Sequence, residues 1–223
     1  NYPVSRREKR VGRTVSKQGN KAVRVLIGCE ESQAVCKAFR AKGHEAYSCD
    51  LLDCSGGHPE WHIKGCVLGV LDQHWDLAIF HPTCTYLSNA GARHLYPKKK
   101  LNIDRLYLGL QAKEFFLKLH NADIDKICVE NPIPSTIYEL PKYTQFIQPF
   151  EHGHPFRKKT CLWLKGLPEI KPSNLVSISE STKIAGNWFN TGGKDRQKNR
   201  SKTFPGIAKA MAEQWGGSSD ICT

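Results

Sequence analysis

The sequence predicts an α/β domain built on a doubly wound, mostly parallel sheet. Short β-branched apolar runs alternate with stretches of helical periodicity, the pattern of strands joined by right-handed crossovers. The runs also end in chemically pointed residues instead of hairpin turns, as expected where strand ends share one crevice. At 223 residues and 39% hydrophobic, the chain is long enough for one such core.

In chain order, residues 23–27 form an apolar run closed by Gly28, the signature of a buried parallel strand. Residues 31–42 place Ala34, Val35, Ala38 and Phe39 on one helical side, with Gly43 as the stop. Residues 45–49 read as a second strand ending in Asp50, and residues 55–59 as a loop. Residues 76–80 predict a third strand, followed by the polar turn His81-Pro82-Thr83-Cys84. Residues 103–121 predict the longest helix, with Leu108, Ala112, Phe115 or Phe116, and Leu119 on its buried side. Strands follow at 126–129, closed by Glu130-Asn131-Pro132, and at 160–164, and a last helix near 207–215. The expected organisation is a basic arm over 1–22, one domain over 23–216 and a short tail over 217–223.

Charge is placed unevenly. The chain carries 33 Lys+Arg against 21 Asp+Glu, a formal net charge of +12. Within residues 1–24, Arg6, Arg7, Lys9, Arg10, Arg13, Lys17, Lys21 and Arg24 face Glu8 alone. Smaller clusters hold Lys98 and Lys99, Lys158, and Arg196 with Arg200. A strongly basic arm needs a polyanionic counter-surface, and nucleic acid is the usual one. The nine cysteines are scattered with no C-x-x-C pair, so neither a metal site nor a disulfide framework is expected. They fit an intracellular, reducing compartment, whether cytoplasm, nucleoid or organelle matrix. No apolar run approaches the length of a membrane span, and no secretory-signal layout is seen, so no membrane partner is expected.

Four predicted strand ends carry the chemistry: Gly28-Cys29-Glu30, Asp50, Pro82-Thr83-Cys84 and Glu130-Asn131. Asp50 can accept hydrogen bonds from the ribose hydroxyls of a nucleoside cofactor, or it can simply cap a turn. The single glycine after the first strand gives no G-x-G-x-x-G cradle, which favours a cofactor without phosphates, such as S-adenosylmethionine. A thiol at Cys84 and a carboxylate at Glu130 suit covalent catalysis at an electron-poor ring. The alternatives are a buried inert thiol and a lysine-paired carboxylate.

The segments Ile27-Gly28-Cys29-Glu30-Glu31-Ser32, His81-Pro82-Thr83-Cys84-Thr85-Tyr86-Leu87-Ser88-Asn89, Glu130-Asn131-Pro132 and Gly153-His154-Pro155 occur in this order. In that order the chain resembles the small phage and bacterial proteins of the C5-cytosine DNA methyltransferase superfamily, over about 23–216. The resemblance implies a Rossmann-like methyltransferase fold that binds S-adenosylmethionine. It implies catalytic roles for Cys84, Glu130 and Asn131, with Cys84 attacking C6 of cytosine while Glu130 holds N3 and the amino group. Cofactor contacts would fall at Gly28, Cys29, Glu30, Asp50 and Pro82, with methyl transfer to C5 of a base taken out of the stack. Nucleic-acid contacts are expected at Arg6, Arg7, Lys9, Arg10, Arg13, Lys98, Lys99, Lys158, Arg196 and Arg200. The second reading is a catalytically impaired, nucleic-acid-bound structural subunit of a ribonucleoprotein, such as an organellar ribosome, with protein partners there. Thr83 in place of a second proline, Cys66 in place of a carboxylate, and the short segment 169–203 favour it.

Overall fold

A computed structural model describes residues 22–177 and 202–217. The arm, most of the C-terminal tail, and Arg6, Arg7, Lys9, Arg10, Arg13, Arg196 and Arg200 lie outside the described residues.

The strands are β1 (Arg24–Gly28), β2 (Glu45–Asp50), β3 (His62–Lys64), β4 (Leu77–Phe80), β5 (Ile127–Pro132), β6 (Gln145–Ile147) and β7 (Thr160–Lys165). They form one sheet in the order β3-β2-β1-β4-β5-β7-β6. The first five are parallel. Their order reverses between β1 and β4, the switch point at which α/β sheets bind ligands. This is the predicted Rossmann-like α/β class, closed at one edge by the antiparallel pair β6 and β7.

The helices are α1 (Ala34–Ala41), α2 (Asn89–Ala92), α3 (Ile103–His120) and α4 (Pro205–Trp215). α1 and α4 cover one face, where Val35, Phe39, Met211 and Trp215 pack on Val25, Ile27 and Ile79. α3 covers the other, where Ala112, Phe116 and Leu119 pack on Leu26, Ala78, Phe80 and Val129. β1 and β4 are buried on both faces, which explains why their sequences are continuous apolar runs and not alternating ones.

Four details differ from the sequence reading. The strand at 160–164 runs antiparallel, and β3 and β6, each three residues long, carry too little pattern to be read. α1 begins at Ala34, not residue 31, because Gln33 adopts a left-handed φ of 58° that interrupts the helix. On α3, Leu108 is 41% exposed, and Gly109 takes the buried position. A Cβ at Gly109 would collide with the Tyr138 ring, so the missing side chain lets the segment after β5 press against the helix.

Phe116 is fully buried, with its ring edge-on to Trp163 at a centroid separation of 5.0 Å. Phe116→Ala is predicted to lower unfolding free energy by about 3–5 kcal/mol, through lost burial and the cavity left behind. Urea denaturation checks the value.

Candidate active site

A cavity of about 670 Å³ opens at the carboxyl ends of β1, β2 and β4. Cys29, Glu30, Cys49, Asp50, Cys66, Val67, His81, Thr83 and Phe115 are among its lining residues. Its shape begins at Gly28, where a Cβ would come within 2.6 Å of both Phe80 and Val67. Only glycine lets β1 end this close to its neighbours. The chain then turns at Cys29, whose left-handed φ of 61° aims its N–H at the Cys49 carbonyl, 2.7 Å away. Burial, with the Asp50 charge adding, pushes the Cys29 thiol up to about 12. Cys29 is therefore a neutral wall group.

Glu30 also lines the cavity, but its carboxylate is turned to protein. Its oxygens accept the Val35 and Cys36 N–H groups at 2.7 and 3.2 Å, the free donors at the start of α1. Burial nevertheless raises its pKa. The Glu30 carboxylate, expected as a cofactor contact, therefore caps α1 while the residue also lines the cavity. Asp50 combines both readings offered for it. Oδ1 accepts the Leu52 N–H at 2.9 Å and closes a turn, while Oδ2 has no hydrogen-bond partner among the described residues.

The loop after β4 brings the other predicted residues together. The register Phe80↔Val129 places His81 beside Glu130, and His81 Nδ1 lies 2.7 Å from Glu130 Oε2. One step on, the Asn131 side chain donates to the Pro82 carbonyl at 3.0 Å. Asn131 and Pro82 therefore brace each other, and neither lines the cavity. Further along, the Ser88 N–H donates to the Cys84 carbonyl at 3.2 Å. Arg105 on α3 donates to the carbonyls of Thr85 and Gly91 at 2.9 and 3.0 Å. Cys84 is exposed between these anchors, and its neighbour Thr83 lines the cavity. An exposed thiol on a braced loop is the opposite of the buried, inert alternative.

The His81–Glu130 pair is nearly enclosed, with side-chain exposures of 10% and 14%. Burial opposes both charges, but each partner outweighs it for the other: His81 titrates above its ordinary range and Glu130 below. Each partner thus favours the charged form of the other. Lys158 adds positive potential at both groups. The sequence reading missed His81; its position immediately after an apolar strand run was the available signal.

Lys98 and Lys99 are exposed, with left-handed φ of 53° and 63°, in the turn that follows α2. Lys158 lies 5.8 Å from the centroid of Phe204 just before α4, and Lys159 lies 3.9 Å from that of Phe146 on the edge strand β6.

No protein-family profile matches the chain, and no curated protein matches it. Among solved structures it is similar to a candidate DNA modification methyltransferase encoded within a prophage of E. coli. That match has 11% identity and a TM-score of 0.42, over 70% of this chain and 52% of that one. It is also similar to the Entamoeba histolytica methyltransferase EhMeth, at 14% identity and a TM-score of 0.46, over 70% of this chain and 58% of that one. The chain thus spans little more than half the length of either. The fold class rests on the chain's own strand order and register.

The ion pair sets a pH window. Glu130 contributes stability above its ordinary 4.5 and loses it as pH falls through its depressed value. His81 contributes below its ordinary 6.5 and loses it as pH rises through its elevated value. The stability lost in Glu130→Gln is therefore expected to be greatest between pH 4.5 and 6.5 and to shrink on either side. Urea unfolding within, below and above that window tests this; a constant difference would contradict it.

Proposed function

We propose that this protein transfers a methyl group from S-adenosylmethionine to C5 of cytosine in nucleic acid, with Cys84 as the covalent nucleophile. The observation that carries the reading is the grouping at the strand ends. The cavity is lined by Asp50, His81 and Thr83, Cys84 follows Thr83 on the braced loop, and Glu130 pairs with His81, although neither Cys84 nor Glu130 itself lines the cavity. The ordered segments that resemble C5-cytosine methyltransferases supply the chemistry expected of those positions.

The cavity suits the cofactor. Its volume falls within the range of small-molecule sites. Asp50 keeps one carboxylate oxygen for a ribose hydroxyl, and Val67 and Phe115 offer apolar walls. When bound, S-adenosylmethionine supplies an electrophilic methyl group on a sulfonium sulfur. The Cys84 thiolate adds to C6, forming a carbon–sulfur bond and moving electron density to C5. Glu130, as a carboxylate, accepts a hydrogen bond from the amino group of the base. Once C5 carries the methyl, its proton leaves to a base, the carbon–sulfur bond breaks and the thiolate is restored. Asn131 acts at one remove, by holding the Pro82 carbonyl and hence the loop that aims the thiol.

The basic surface supplies the grip on the polyanion. Lys98 and Lys99 stand on the segment that continues from the Cys84 loop, and Lys158 sits within the electrostatic reach of Glu130. Together with the arm, these cations give contacts to phosphates, which position the substrate without reading sequence.

Three outcomes are expected. In the presence of S-adenosylmethionine, a 5-fluorocytosine oligonucleotide should form a covalent adduct with the wild-type protein and none with Cys84→Ala, read by mass spectrometry; no wild-type adduct would sink the nucleophile. Asp50→Asn should weaken S-adenosylmethionine binding about tenfold by calorimetry, since a charge-assisted hydrogen bond is worth about 1.5–3 kcal/mol. Replacing Lys98 and Lys99 by Gln should lower the slope of log affinity against log salt by roughly 0.7–0.9 per lysine, and an unchanged slope would remove them from the interface.

A further inference from the structure

Arg105 stands where two parts of the site meet. Its backbone N–H donates to Asn102 Oδ1 at 2.9 Å, and the Asn102 N–H closes the turn carrying Lys98 and Lys99 onto the Leu95 carbonyl at 2.8 Å. Its side chain reaches the other way, to the Cys84 loop. There Nη2 donates to the carbonyls of Thr85, the residue after Cys84, and of Gly91. Both oxygens point at one nitrogen, and a Cβ at Gly91 would collide with the Thr85 carbonyl. The two ends of the loop are therefore closed on each other around the guanidinium.

A guanidinium keeps its charge and its full set of N–H donors at every working pH. Here only Nη2 is used. Nε and Nη1 make no hydrogen bond among the described residues. Neither is among the buried polar atoms that lack a partner, so both stay open to solvent. No carboxylate forms a salt bridge with Arg105 among the described residues. A planar cation with unused donors and no counter-charge is matched by an anionic oxygen ligand, above all a phosphate.

We infer that Arg105 couples the grip on the nucleic-acid backbone to the aim of the thiol, holding the Cys84 loop through Nη2 while Nε and Nη1 contact a phosphate of the cytosine-bearing strand. It is a positioning residue for Cys84. The lysine turn, tied to the same residue through Asn102, adds positive charge along the same segment. A strand bound at its phosphates thereby rests on the same side chain that fixes the loop. The inference rests on the proposed function for the role of Cys84; the phosphate contact and the loop bracing do not need it.

The test uses Arg105→Gln and Arg105→Lys in the full chain. Affinity for a cytosine oligonucleotide is measured against salt, and adduct formation with a saturating 5-fluorocytosine oligonucleotide is timed in the presence of S-adenosylmethionine. Arg105→Gln should lower the slope of log affinity against log salt by roughly 0.7–0.9 and slow the saturated adduct step by about 10- to 100-fold. Arg105→Lys keeps the charge on a single nitrogen and should not restore both. Cofactor affinity should stay at the wild-type value in each variant, because Arg105 does not line the cavity. An unchanged slope removes the phosphate contact, and an unchanged saturated rate removes the positioning role. Either result, or a lysine variant that matches wild type in both, overturns the coupling and leaves the methyl-transfer reading standing. Loss of cofactor binding would make Arg105 a support of the fold and overturn it too. If the wild-type protein forms no adduct, the methyl-transfer reading falls. Arg105 is then judged by the slope and by hydrogen exchange at the Ser88 and Gly91 amides, which Arg105→Gln should speed; no change in either overturns the proposal.

Discussion

The parallel register of β4 against β5 is the constraint on which the site depends. It sets Phe80 opposite Val129, and the next residue of each strand is then a charged group facing a charged group. In that nearly dry position neither His81 nor Glu130 tolerates its charge alone, and the 2.7 Å contact makes the pair tenable. Because the pair sits where both strands end, it also fixes where their following loops begin. The Cys84 loop and the Glu130 carboxylate therefore both start from the ends of a single strand pair.

The rest of the bracing serves the same end. The Asn131 amide takes up the Pro82 carbonyl, Ser88 the Cys84 carbonyl, and Arg105 reaches across from α3 to two further carbonyls of the loop. Arg105 also lies over the Tyr86 ring, its guanidinium carbon 5.0 Å from the ring centroid. Each bond fixes backbone, not a side chain, and Cys84 is left exposed on a rigid support.

Much of this was legible in the sequence because the signals are local. Five of the seven strands and the long helices follow from hydrophobic runs and their periodicity, and the chemically pointed residues at Asp50, Cys84 and Glu130 follow from where those runs stop. What escaped has physical causes. β3 and β6 are too short to show a period, and their pairing is set by partners far along the chain. The buried side of α3 was displaced by one residue because Tyr138, 29 positions beyond Gly109, fills the groove that the glycine leaves. That the Glu30 carboxylate caps α1 was not legible either, because it depends on where the helix starts after the turn at Gln33.

The sequence by itself determined the α/β class, the basic surplus and which residue types stand at the strand ends, since these depend on composition and on nearest neighbours. Only the tertiary structure decided which of those residues meet. Register across β4 and β5 made His81 the partner of Glu130, turned Asn131 into a brace and left Cys84 in the open. Burial then decided the charge states, because desolvation and the field of a neighbour act through space and leave no trace in the order of residues.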